Sequence, residues 1–199
     1  MTHDEDALTT HRSGKQDTLL RHVTDYRRLQ LLVLDVDGIL TDGSITLTES
    51  GEEIKTFHVR DGSGIKYWMR LGKKVAIISG RGSPAVNRRA GELGIECVRL
   101  NCKRKLPVYE DVCREMGVSD EQVAVMGDDL TDIPMLRRAA VGITVEQAPL
   151  EVKEVATFVT RAPGGKGCVR EAIEMMLRNS GEWNRILERY NENPPKDAL

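Results

Sequence analysis

The stretch LLVLDVDGILTDG (residues 31–43) runs from apolar residues into two carboxylates, Asp35 and Asp37, one residue apart and followed by Gly38. Asp and Gly close turns whatever their chemistry, so taken alone this is no more than a strand end. Further along, a second apolar run ends in Ser79-Gly80-Arg81 and a third leads to Lys103 and Lys105. A fourth ends in Gly127-Asp128-Asp129, with Asp132 beyond. Asp35, Asp37 and Asp128, brought together, would repel one another at neutral pH and raise their pKa values unless a cation joined them. Mg²⁺ takes oxygen ligands, keeps several waters and often uses only one or two carboxylates plus a substrate phosphate, which matches this count. The Ser79 hydroxyl and a lysine ammonium would then hold the remaining phosphoryl oxygens.

That chemistry needs the runs to end at one place. Short β-rich runs recur at 31–36, 75–79, 97–100, 123–127, 142–145 and 157–160, with helical patterns between most of them. The alternation predicts an α/β fold, a Rossmann-like parallel sheet between helices. In such a sheet the carboxyl ends of the strands share one edge, and ligands bind in the crevice there. Helical patterns fall at 64–71, 84–93, 105–116, 131–139 and 167–178, with Pro84 and Pro134 near starts and Gly94 and Gly117 near ends. Two alternating stretches around Ser50-Gly51, near residues 44–59, predict an inserted β-hairpin rather than a layer of the sheet. Residues 1–28 read as a polar leader, with one helical stretch expected near Thr18–Arg28. Residues 29–180 form the domain, and residues 181–199 a C-terminal tail with a short helix near 180–190.

Composition narrows the partners. The 29 Lys and Arg against 31 Asp and Glu leave a formal charge of −2, so no basic excess suggests nucleic acid or a membrane surface. No apolar stretch approaches the roughly 20 residues that span a bilayer, and MTHDEDALTTHRSGK is too polar for a signal peptide. The expected compartment is the cytoplasm and the expected partner a small molecule. Cys97, Cys102, Cys113 and Cys168 have no CxxC spacing, so reduced thiols are expected rather than a zinc site or a disulfide framework. Of the four His, His3, His11 and His22 lie in the leader, and His58 reads as a packing or rim residue.

The ordered set DVDG, SGR, a downstream Lys and GDDLTD resembles the haloacid dehalogenase superfamily of phosphohydrolases. That resemblance implies Asp35 as nucleophile, Asp37 as general acid and base, and Ser79 and Lys105 as phosphate binders. Asp128 would ligate Mg²⁺ with Asp35 and the backbone carbonyl of Asp37. Lys105 is preferred to Lys103 because it opens the helical pattern KLPVYEDVCREMG, where its stem would be fixed. Asp129 and Asp132 would orient metal waters or Lys105, and Asp132 would also cap the helix IPMLRRA. Neither gap that holds a cap domain in larger members has room for one, so a capless protein is expected. Its open site would accept a large substrate or be closed by another subunit. The hairpin, with an apolar face of Ile45, Leu47, Ile54 and Phe57, is the expected assembly surface.

The fuller string, adding GEEIKTFHVRDGSGIK and APGGKGCVRE, is similar to the 3-deoxy-D-manno-octulosonate 8-phosphate phosphatase family over about residues 30–178. The resemblance implies a Mg²⁺-dependent homotetramer acting on an acid sugar phosphate in lipopolysaccharide synthesis. Arg60-Asp61-Gly62-Ser63-Gly64 opens a helix, where the glycines permit close approach and the helix start favours an anion. Arg60, Arg81 and Lys166 offer positive charge for a sugar carboxylate, and Thr41 and Gly80 lie beside the nucleophile and serine turns. Lys166 stands where the family commonly has Arg, which puts bidentate recognition in doubt. Two rivals stand beside this reading. One is a phosphatase of nine-carbon acid sugar 9-phosphates on the same scaffold, and Arg81 and Lys166 favour the eight-carbon substrate over it. The other is an inactive oligomerisation or regulatory module, opposed by the full set of polar strand ends. The lack of a GxxxxGK[ST] loop argues against a nucleotide kinase.

Overall fold

The computed structural model describes residues 25–191. Six parallel strands, β1 (Leu31–Leu34), β4 (Lys74–Ile78), β5 (Cys97–Arg99), β6 (Val123–Met126), β7 (Val141–Val145) and β8 (Phe158–Thr160), form one sheet in the order β5-β4-β1-β6-β7-β8. β1 is central. Its four residues are fully buried and pair in register with Lys74–Ile77 on one side and Val123–Met126 on the other. A strand covered on both faces reads as a continuous apolar run rather than an alternating one, which is what LLVL is.

From β1 the chain moves outward through α1 (Val59–Arg70), β4, α2 (Pro84–Leu93) and β5. It then returns through α3 (Lys105–Met116) to β6 and moves outward the other way through α4 (Ile133–Arg138), β7, α5 (Leu150–Val155) and β8. The reversal falls between β1 and β6, and right-handed crossovers place helices on opposite faces before and after it. α1 packs against α2 and against α6 (Cys168–Asn179), while α4 packs between α3 and α5. The ends of β1 and β6 therefore open a crevice at the switch point.

A two-stranded antiparallel hairpin, β2 (Thr46–Leu47) and β3 (Glu53–Ile54), sits between β1 and α1. Its register pairs Leu47 with Glu53 and Thr46 with Ile54. Because side chains alternate along a strand, Leu47 and Ile54 lie on opposite faces of the ribbon. Phe57 packs instead against the main core. The single apolar face expected of Ile45, Leu47, Ile54 and Phe57 is thus split three ways.

α1 begins at Val59, five residues before the pattern at 64–71 suggests, and carries the whole RDGSG segment. The helical stretch expected near 18–28 falls largely outside the described residues, with Tyr26–Arg28 forming one tight turn. After α6, α7 (Trp183–Asn191) buries Trp183 and Ile186, so packed chain continues past residue 180. Among the described residues no helix is long and apolar enough to cross a membrane.

Candidate active site

β1 delivers Asp35 to the crevice, 6% exposed, with its backbone N–H donating to the Met126 carbonyl at 3.0 Å as the last rung of the sheet. Residues 36–40 then make one wide turn, closed by the Thr41 N–H on the Val36 carbonyl at 3.0 Å. Gly38 takes φ +86°, and a Cβ there would run into the Asp128 carboxylate, so glycine serves both the turn and the close approach of β6's loop. Thr41 is buried, its hydroxyl within 3.4 Å of the Val36 carbonyl and accepting from Gly43 N–H at 3.3 Å. It holds the turn from inside.

Lys105, at the first turn of α3 and 5% exposed, places its Nζ 3.0 Å from Asp35 Oδ1 and 2.7 Å from Asp132 Oδ1. Lys103 is exposed. The second oxygen of Asp132 accepts from the backbone N–H groups of Asp128 and Asp129, each at 3.1 Å, so Asp132 is consumed in holding Lys105 and the β6 loop. Asp129 is exposed and accepts from Leu130 N–H at 2.8 Å. Burial, reinforced by Asp132, pushes the Asp35 carboxyl up to about 7 against the pull of Lys105. Burial, then Asp35 and Asp132, push Asp128 to about 7 as well. Burial opposes the Lys105 charge, yet Asp35 and Asp132 more than offset it and hold the ammonium above its ordinary value.

Oxygens of Asp35, Asp128 and Asp132 lie within 4.8 Å of one another. Asp128 Oδ1 is buried with no hydrogen bond, and Asp35 Oδ1 meets the Lys105 ammonium at 3.0 Å, whereas both Asp132 oxygens are engaged by Lys105 and backbone N–H groups. An unpartnered Asp128 oxygen beside the Asp35 carboxylate fits a hard cation, which would relieve the repulsion that raises both groups.

β4 carries Ser79 to the same edge, where its backbone bonds to Arg99 and Cys102 and its Oγ accepts from the Arg81 N–H at 3.3 Å, leaving the hydroxyl proton free to donate. Gly80 is exposed beside it. Arg81 reaches toward Asp37, its Nε 3.7 Å from Oδ2, and bonds Glu53 of the hairpin at 2.6 Å. The other Asp37 oxygen meets Lys55 Nζ at 2.5 Å.

On the far side of the crevice, the Gly164-Gly165-Lys166-Gly167 segment is seated on the nucleophile turn. Gly165 N–H donates to the Ile39 carbonyl at 2.9 Å, and a Cβ on Gly164 or Gly165 would strike the backbone of residues 38–42. Lys166 lines a cleft of about 260 Å³ with Gly38, Asp42, Asp128, Asp129 and Gln147. Asp61 is buried and accepts from the backbone N–H groups of Gly167 at 3.1 Å and Arg170 at 2.8 Å, capping α6 from a neighbouring helix. Gly62 and Gly64 make their close approaches to Arg89 of α2 and Arg170 of α6. The Ser63 hydroxyl donates back to the Val59 carbonyl at 3.2 Å, and Arg60 is exposed. The RDGSG segment fixes α1 against α2 and α6 through these contacts.

A haloacid dehalogenase-like hydrolase family model matches residues 101–170. The 3-deoxy-D-manno-octulosonate 8-phosphate phosphatase of Haemophilus influenzae is 40% identical over 154 residues, covering 77% of this chain and 86% of that protein. This chain belongs to the 3-deoxy-D-manno-octulosonate 8-phosphate phosphatase family. The family's Moraxella catarrhalis phosphatase, solved in complex with magnesium, phosphate and KDO (3-deoxy-D-manno-octulosonate), superposes with a TM-score of 0.82 at 34% identity, covering 84% of this chain and 96% of that one. The cobalt-bound phosphatase from Haemophilus influenzae gives 0.76 at 39% identity, over 79% and 92% of the two chains.

Two site residues of this family member have no counterpart in the sequence analysis, Glu53 and Lys55. Glu53 lies on β3 and Lys55 just past its end, and the path of the hairpin brings them to Asp37 and Arg81. The alternation of charged and apolar residues in EEIK is the one signal that could have found them, and it fits an exposed ribbon equally well.

Proposed function

We propose that this chain hydrolyses 3-deoxy-D-manno-octulosonate 8-phosphate to the free acid sugar and inorganic phosphate. The observation that carries the reading is the buried cluster at the switch point of the sheet, in which Asp35 Oδ1 is paired with the Lys105 ammonium and Asp128 Oδ1 is left without a hydrogen bond beside it. Asp35, Asp128 and the backbone carbonyl of Asp37 would hold Mg²⁺, which would supply Lewis-acid neutralisation of phosphoryl charge.

An Asp35 carboxylate oxygen attacks phosphorus, the bond from phosphorus to the sugar oxygen breaks, and that oxygen takes a proton from the Asp37 carboxyl. Water then attacks the aspartyl-phosphate, gives its proton to the Asp37 carboxylate, and phosphate leaves with Asp35 restored. Ser79 and Lys105 stabilise the phosphoryl oxygens, donors that need no reorientation because both are fixed by buried bonds. Arg81 and Lys166 take the sugar's carboxylate and hydroxyls, with Arg60, Ser63 and Gly80 nearby. Thr41, Asp61, Gly62 and Gly64 shape the pocket from behind, and Asp129 and Asp132 support the metal loop. A cleft of about 260 Å³ and a phosphatase relative in complex with magnesium, phosphate and KDO support this substrate.

The protein assembles as a homotetramer through the hairpin, whose Ile45, Leu47 and Ile54 are more than half exposed on both faces of the ribbon. It works in the cytoplasm, in keeping with four free cysteines.

The test is phosphate release from the eight-carbon substrate with Mg²⁺, beside a nine-carbon acid sugar 9-phosphate, for the wild type and Asp35→Asn. Mg²⁺-dependent release from the eight-carbon ester, lost in the variant, is expected. Preference for the nine-carbon ester would move the substrate, and release surviving Asp35→Asn would overturn the mechanism.

A further inference from the structure

The hairpin does more than present a surface. Lys55 has a side chain 2% exposed and meets two carboxylates, Asp37 Oδ1 at 2.5 Å and Glu53 Oε1 at 3.4 Å. Glu53 also takes Arg81 at 2.6 Å, and Arg81 returns to Asp37 Oδ2 at 3.7 Å. The four side chains close a ring of two acids and two bases, with one cation at each oxygen of Asp37. Two members, Glu53 and Lys55, come from the hairpin, Arg81 from the loop after β4, and Asp37 from the nucleophile turn.

A buried ammonium is costly to desolvate, and replacing such a pair by apolar residues often costs nothing in stability. Fold stability is thus a poor reason for a lysine at this position. Geometry offers a better one. Asp37 leaves β1 on a turn, and among the described residues its carboxylate is met by Lys55 and Arg81. Its carboxyl orientation is set by Lys55 on one oxygen and Arg81 on the other. Proton transfer to a leaving oxygen needs that carboxyl within hydrogen-bond reach, and small misplacements are expensive.

We infer that Lys55 is a positioning residue of the phosphatase site, holding the Asp37 carboxyl toward the leaving oxygen from the hairpin side, with Glu53 aligning Lys55 and Arg81. The inference rests on the phosphatase reading. Lys55 acts through Asp37, so its removal matters most where the leaving group needs a proton. A sugar alkoxide needs one and a nitrophenolate does not.

The experiment compares kcat and KM of the full chain with Mg²⁺ on the sugar phosphate and on p-nitrophenyl phosphate, for wild type, Lys55→Met and Lys55→Arg. Lys55→Met is expected to lower kcat on the sugar ester by about tenfold or more, in line with the share of proton transfer in such steps. KM should change little and the loss on the aryl ester should be distinctly smaller. Lys55→Arg should recover most of the lost kcat. Should Lys55→Met fail to fold, judged by melting, Glu53→Gln is expected to show the same bias toward the sugar ester at smaller amplitude. Equal losses on both esters, a change confined to KM, or no recovery with Arg would overturn the inference while leaving the phosphatase reading intact. No turnover of either ester by the wild type would overturn both.

Discussion

Asp35 and Asp128 each titrate near 7 in the metal-free protein rather than near the ordinary 3.8, with burial as the first cause of both. Groups raised in the folded state contribute stability that is complete below their unfolded value and is lost as pH climbs through the folded one. Between about pH 4 and pH 7 these two acids therefore weaken the metal-free fold progressively. Mg²⁺ competes with protons for the same oxygens, so its stabilisation should be largest above pH 7. At a hundredfold excess over its Kd the gain is about 2.7 kcal/mol. Melting curves with Mg²⁺ and with EDTA at pH 8 and pH 5.5 check this, and an equal shift at both would contradict it. Asp128→Asn should melt higher than wild type in EDTA at pH 8, because it removes one of two repelling charges, and should lose the Mg²⁺ shift. At this scale the chemistry was largely legible. Asp35, Ser79, Lys105, Asp128 and Asp132 stand at strand ends or helix starts, where topology alone gathers them. Glu53 and Lys55 stand on a ribbon whose path depends on packing that no local pattern encodes.

Elements divide in the same way. α2 and α3 run over 84–93 and 105–116, because Pro84, Gly94 and Gly117 mark their ends in ways the backbone must obey. α5 spans six residues, too short for a 3.6-residue period to show. α1 starts early because packing against α2 and α6 repays the low helix propensity of Gly62 and Gly64, a tertiary effect invisible in the segment itself. The same packing makes Asp61 a cap for another helix. Asp61→Ala should cost about 1–2 kcal/mol, as loss of a capping carboxylate does, and loosen the Lys166 segment enough to raise KM. Gly164→Ala drives a Cβ into the carbonyls of Gly38 and Thr41, and overpacking of that kind costs about 1–3 kcal/mol. Its kcat should fall because the displaced backbone carries the turn behind Asp35. Chemical denaturation and steady-state kinetics on both variants separate the two effects.

For the whole molecule, the parallel sheet and the hairpin outside it follow from the order of apolar runs, whereas the strand order and its reversal beside β1 are set by packing of the crossover helices and emerge only in the structure. Faces of the hairpin do not follow from that order either, since two-residue strands leave alternation too little length to declare itself. With Leu47 61% and Ile54 51% exposed on opposite sides, the ribbon suits insertion between neighbours rather than a single flat contact. Leu47→Glu together with Ile54→Glu should therefore reduce the sedimentation mass while leaving the monomer's melting transition nearly unchanged.

The seat of the C-terminal segment on the nucleophile turn bears on the order in which the protein comes alive. The Cys168 thiol bonds the Ile39 carbonyl at 3.2 Å across 129 residues of chain, and Gly165 N–H shares that carbonyl. Asp35 emerges early in synthesis, but the turn that aims it lacks the Gly164–Cys168 seat until the start of α6 is made. A nascent chain thus carries its nucleophile for most of translation without a finished site, and competence waits on a contact that spans 129 residues.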